Sequence, residues 1–190
     1  MKKSIPNYLK AFEVYKISLK EKIKLNATSF FKLCRQLEKH TSADIINEIK
    51  SLLEINQKTI QNQIEKGFHQ VSNIKMDCDI RYEALKAAQE AQEDYSTEKS
   101  DFKLSAQKLS QEITSSLSKL DFLIQEQNKG ILDRIEALHP SEEIKLILDQ
   151  ARTHLGLSSE THEIESHSKS FVEQQQQRNS QEEAKQSHSL

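Results

Sequence analysis

The 190-residue chain has no tryptophan, two prolines, three glycines and two cysteines, and each scarcity removes a class of answer. Three glycines leave no loop to cradle a phosphate, and GxxxxGK(S/T), GxGxxG, GxSxG and HExxH are all missing. No apolar stretch nears the roughly eighteen residues of a spanning helix. Met1-Lys2-Lys3 leads into Ser-Ile-Pro-Asn rather than an apolar segment, so neither a signal peptide nor a transmembrane span is expected. Cys34 and Cys78 lack metal-ligand spacing and lie among apolar neighbours, which predicts reduced, structural thiols. The two prolines, Pro6 and Pro140, stand at the ends of a run from Asn7 to Leu138 that contains only Gly67 and Gly130 as potential breakers.

What fills that run is Glu, Lys, Gln, Leu, Ile and Ser, with apolar residues every three or four positions. This favours an all-α fold: a long antiparallel helical hairpin or bundle with coiled-coil character, followed by a disordered C-terminal tail. A single helix from 7 to 138 would reach roughly 200 Å at about 1.5 Å per residue, so the chain is expected to fold back on itself. Four regions follow: a basic amphipathic helix within 1–40, a long helical hairpin or coiled coil over 41–139, a short helix over 140–157, and a polar tail over 158–190.

In the first region, Tyr8, Phe12, Tyr15, Leu19, Ile23, Phe30, Cys34 and Leu37 share one side of a helix from Asn7 to about Lys39. Lys10, Lys20, Lys24, Lys32, Arg35 and Lys39 fall on the other side. Thr41 and Asp44 have capping-box spacing, which opens a second helix. That helix carries Ile45, Ile49, Leu53, Ile60, Ile64, Phe68, Val71, Ile74, Cys78, Tyr82, Leu85 and Ala88, with Gln57 as its polar step and Gly67 as a soft spot. The polar segment Asp94–Asp101 is the expected second reversal. The third stripe is the most regular: Phe102, Ala106, Leu109, Ile113, Leu117, Leu120, Ile124, Gln127, Ile131, Ile135 and Leu138. His139-Pro140 stops it, and Ser141-Glu142-Glu143 opens a last helix ending near Gly156.

The net charge of −2 conceals a polarity. Residues 1–40 carry ten Lys or Arg against three Glu, a net of +7, so the remaining 150 residues sum to −9. A basic helix with an apolar face either packs that face on residues 45–138 of its own bundle, leaving the lysines solvated, or suits an anionic lipid or granule boundary or a helix partner. The expected contact residues are Phe12, Tyr15, Leu19, Phe30 and Phe31 on the apolar side, with Lys10, Lys20, Lys24 and Lys32 on the anionic side. Nucleic acid is an unlike partner for this pattern, because the aromatics lie opposite the lysines rather than between them.

Catalytic and cofactor chemistry finds little support. Glu136 and His139 have the ExxH spacing of di-iron bundles, but that chemistry needs a second such pair, and the chain has none. His162 and His167 do not share a helical face. Asp77 and Asp79 point to different sides of their helix and read as solvated. No catalytic, cofactor-binding or metal residue is assigned, and the chain is expected to be no enzyme.

The aromatic, lysine-bearing first helix, the break at Ser42-Ala43-Asp44 before Asn47-Glu48-Ile49, the long proline-free helix and the low-complexity tail together resemble the layout of phasins over roughly Phe12 to Leu85. That resemblance implies a non-catalytic coat on polyhydroxyalkanoate granules. The Lys, Ile, Asn, Ser and Gln bias departs from the alanine-rich composition of that family. The stretch from Gln181 to Leu190, with Glu182, Glu183 and terminal Leu190, is similar to the polar, acidic tails of type IV secretion effectors, which would make it an export signal. The expected partners are therefore a second copy of the chain and either an anionic surface or a helical protein. The expected location is the cytoplasm, at the periphery of a membrane or granule, or alternatively a host cell after secretion.

Overall fold

A computed structural model describes residues 6–157, and the expectations for the tail, its histidines and Glu182, Glu183 and Leu190 lie outside them. The described residues form four helices and no strand: α1 (Asn7–Leu37), α2 (Ala43–Glu90), α3 (Ser96–Leu138) and α4 (Glu142–His154). The fold is the expected all-α bundle. α2 and α3 form an antiparallel hairpin about 70 Å long, estimated from the rise per residue. α1 lies along both, antiparallel to α2 and parallel to α3. α4 returns along the far end of α1 and α3, making that end four helices thick.

The boundaries follow local chemistry. The Pro6 carbonyl accepts from the backbone N–H of Leu9 and Lys10, so the proline closes the first turn of α1 from outside. α1 ends two residues before the expected Lys39. The capping box at Thr41 does not form: the Thr41 hydroxyl turns back to the Leu37 carbonyl at 2.9 Å and caps the end of α1 instead. Ser42 stands at the start of α2.

The second reversal comes earlier than the polar segment suggests, at Ala91–Tyr95. The N–H of Glu93 reaches the Ala88 carbonyl and that of Gln92 reaches the Gln89 carbonyl, which is a Schellman closure. Gln92 adopts φ 57° to make it, in the left-handed region that glycine prefers. Asp94 then accepts from the Ser96 N–H at 3.0 Å, and this bond lowers its pKa. At the last break, Pro140 stops α3, Ser141 Oγ accepts from the Ile144 N–H, and Gly156 at φ 69° closes α4.

The interior shows a period of eleven residues. Tyr8, Leu19 and Phe30 of α1, Ile49, Ile60 and Val71 of α2, and Leu109, Leu120 and Ile131 of α3 are all buried and eleven apart within each helix. So are Tyr15, Asn26 and Leu37, then Asn56, Gly67 and Cys78. Eleven residues in three turns is about 3.67 per turn, close to the helix's own 3.6, so these helices need little supercoiling to stay in contact.

Polar side chains interrupt the core at the same interval. Tyr15 Oη and Ser116 Oγ share a buried hydrogen bond of 2.8 Å above Gly67. A Cβ at Gly67 would run into Ser116 Oγ, so the glycine is the space that this pair occupies. Its role is close approach rather than flexibility. At the end nearest the α2–α3 turn, Tyr8, Tyr82 and Phe102 form an aromatic cluster with centroids 5.4 to 5.9 Å apart.

Candidate functional surface

The first helix has two faces with different commitments. Its inner face is spent on the bundle: Tyr15, Leu19 and Phe30 are buried, and Phe12 is half-buried, stacked on Phe68 of α2 with ring centroids 6.0 Å apart. Of the five residues expected to form an apolar contact, Phe31 alone stands out in solvent. The five therefore do not share one exposed face, because the stripe that hydrophobic periodicity finds is the stripe a bundle buries first.

The outer face carries the rest. Lys10, Lys20, Lys24 and Lys32 are all exposed, and among the described residues none pairs with a carboxylate. Between them stand Val14, Ile17, Leu25 and Phe31, each more than half exposed. At about 100° per residue these eight positions occupy an arc of roughly 140°. The sequence reading missed Val14, Ile17 and Leu25, since they fall outside the main stripe. The signal was nonetheless available: Val14 and Leu25 are eleven apart, and Lys10 and Lys32 are two such intervals apart.

Electrostatics concentrates on the same helix. α1 contains seven Lys or Arg and two Glu, whereas α2, α3 and α4 each carry more carboxylates than cations. Some α1 cations are neutralised within the bundle: Lys22 by Asp121 of α3, and Lys16 by Glu13 at 2.6 Å. Arg35 lies over the Phe31 ring at 5.3 Å, an arrangement that keeps the ring's face partly covered while its edge stays in water.

Elsewhere the titratable groups serve the fold. Tyr8 donates to Asp79 at 2.9 Å, and burial followed by that bond pushes the Tyr8 pKa far up. Asp79 also takes Lys75 at 2.7 Å, so it is a bundle contact rather than a solvated carboxylate. Asp77 pairs with Arg81. Glu136 of the ExxH pair is held by Arg152 of α4, which also binds Asp133 and Asp149. His40 meets Glu143 at 3.1 Å, tying the α1–α2 turn to the start of α4. Among the described residues no three His, Cys, Asp or Glu are grouped to hold a metal ion. Cys34 and Cys78 are free and buried, and burial pushes both thiols up, away from the reactive thiolate.

A groove runs between α1 and α2. One part, of about 740 Å³, is lined by Phe31, Cys34, Arg35, Lys50 and Leu53 among others. The next, of about 470 Å³, includes Ile23, Asn26, Gln57, Ile60 and Ile64. On the other side of α1, where α4 lies, a smaller cavity of about 300 Å³ is lined by Leu33, Ala151 and Leu155 among others. Among the described residues no helix is long and apolar enough to cross a membrane. Compared with known proteins, the chain matches no family model, no curated protein and no solved structure.

Proposed function

We propose that the protein is a non-enzymatic helical binding protein that docks on an anionic boundary through the outer face of α1. The observation that carries this reading is the interleaving of four unpaired lysines with Val14, Ile17, Leu25 and Phe31 on one exposed arc. Lysines of this kind approach anionic headgroups or carboxylates while the apolar side chains leave water. The intact bundle presents the face, so Tyr15, Leu19 and Phe30 remain inside. A granule surface of the sort implied by the phasin-like layout is one such boundary, and the leaflet of an anionic membrane is another. Ile80, Leu104 and Phe122, each about two-thirds exposed on the hairpin, support self-association as well.

The test is co-sedimentation with vesicles containing phosphatidylserine. Reversal of all four lysines to glutamate is expected to weaken binding by more than about a thousandfold, since loss of the four positive charges alone removes roughly 1 kcal/mol each near the surface. Binding that persists at full strength removes the electrostatic part of the proposal. A second reading, a bundle that receives a helix from a protein partner, draws on the groove between α1 and α2. Labelling a single cysteine placed at Leu53 and measuring its protection by the partner would separate it from the first.

A further inference from the structure

Three asparagines, one from each long helix, are buried inside the bundle. Asn26, Asn56 and Asn128 are 6, 1 and 1 % exposed. Asn128 Nδ2 donates to Asn26 Oδ1 at 2.8 Å. Asn56 belongs to the same level. Gly67 faces Tyr15 and Ser116, and about three turns along each helix from that layer lead to Asn26, Asn56 and Asn128. Eleven residues turn a helix only about 20° past a whole number of turns, so Asn56 keeps the inward direction of Gly67. Gln57 and Ile60 lining the groove beside Asn26 place this part of α2 at the same height.

The hydrogen-bond account of this layer does not close among the described residues. Asn56 Oδ1, Asn56 Nδ2 and Asn128 Oδ1 are buried without a partner. The set is two acceptors and one donor. A cation would be served by the oxygens and repelled by the N–H. A halide would be served by the N–H and repelled by the oxygens. Water has both halves: two O–H groups for the two carbonyl oxygens and a lone pair for the amide. Three hydrogen bonds is also what a buried water ordinarily makes.

We propose that the Asn26–Asn56–Asn128 layer is a built site for one ordered water molecule, which donates to Asn56 Oδ1 and Asn128 Oδ1 and accepts from Asn56 Nδ2. The water completes a polar layer in an otherwise apolar stretch and fixes the height of α1 on the hairpin. Sliding α1 by one turn would set Asn26 against aliphatic neighbours and strand the amides of Asn56 and Asn128.

The test uses the full chain labelled with 15N-asparagine in halide-free buffer, with water-selective nuclear and rotating-frame Overhauser measurements on the side-chain amides. The expected result is cross-peaks from water to the Asn56 and Asn128 amides with the sign of a long-lived contact, unchanged by added sodium bromide. Absence of those cross-peaks, with a direct Asn56–Asn128 amide contact in their place, overturns the proposal. So does a bromide-dependent shift confined to the three amides, which would make the layer an anion site. In Asn56→Leu the water cross-peak at Asn128 is expected to vanish while the Asn26–Asn128 contact stays. Its persistence in that variant overturns the assignment of the donors and acceptors.

Discussion

α1 and the α2–α3 hairpin are held by different means. The hairpin is joined by the five residues between α2 and α3 and by long apolar stripes, with Val71, Leu109 and Leu120 buried at its centre. α1 joins it through a turn of the same length and buries Leu19, Phe30 and Leu37 of its own, but adds polar bonds spread along its length: Tyr8 to Asp79, Tyr15 to Ser116, Lys22 to Asp121 and Asn26 to Asn128. A buried hydrogen bond adds roughly 1 kcal/mol net, because its groups find water when the contact opens. Apolar area has no such alternative. The larger polar share makes α1 the layer expected to separate first and the hairpin the frame.

The comparison is tested most severely by matched truncations read with native-state hydrogen exchange. Leu109→Ala is expected to cost about 2–5 kcal/mol and to speed exchange in every helix. Leu19→Ala should cost about as much, yet speed exchange in α1 ahead of α3. Equal acceleration in α3 would break the distinction and make the bundle a single cooperative unit.

The junction between the two parts is sharpened at Gly67. Gly67→Ala pushes a methyl group into the position of Ser116 Oγ and breaks its bond to Tyr15. The gain in helix propensity, about 1 kcal/mol, is expected to be outweighed, with a net loss of roughly 1–2 kcal/mol in urea unfolding. Combining it with Ser116→Ala and Tyr15→Phe, which removes the clash and both polar partners, should recover most of that loss. Failure to recover would mean that the layer is not held by this pair.

Alkali should strain the α1 side. Burial raises the pKa of Tyr8 and Tyr15 from an ordinary 10.0 and of Cys34 and Cys78 from 9.0. A group with a raised folded pKa contributes stability that is present below its unfolded value and is lost as pH rises through the folded one. The bundle is therefore expected to hold constant stability from these groups at neutral pH and to weaken above about pH 9, with Tyr8→Phe flattening part of the fall. A urea midpoint that does not move between pH 8 and 10.5 would contradict this.

The smallest effect lies in the hairpin turn. Gln92→Gly removes the side chain from a left-handed position and is expected to stabilise by about 0.5–1 kcal/mol without altering vesicle binding. A loss of stability would mean that the glutamine side chain makes up for its backbone.

The helices were legible in the sequence because periodicity and punctuation agree: Pro6, His139-Pro140 and Gly156 mark ends that the structure keeps. The turn at Ala91–Tyr95 was harder to place, because Gln92 stands where a glycine would have announced it. The interior was readable only at its apolar margins. Asn26, Asn56, Gly67, Ser105, Ser116 and Asn128 lie among the most buried residues, but a search for hydrophobic positions passes over them. Ile23 and Phe68, which it selected, are partly exposed beside these small and polar centres. The lysines of the candidate surface were found by charge alone. Their apolar companions were hidden because one helix carries two apolar sets, and the stronger one conceals the weaker.

The eleven-residue period also shapes what the molecule shows to the outside. In a seven-residue repeat the helices wrap round one another, and a row of outward side chains spirals away with them. Here Val14 and Leu25, and Lys24 and Arg35, recur at the interval of the core itself, and Lys10 and Lys32 at twice it, so the outer row runs as a nearly straight rail along α1. A rail of that kind would lie flush on a flat substrate along its whole length.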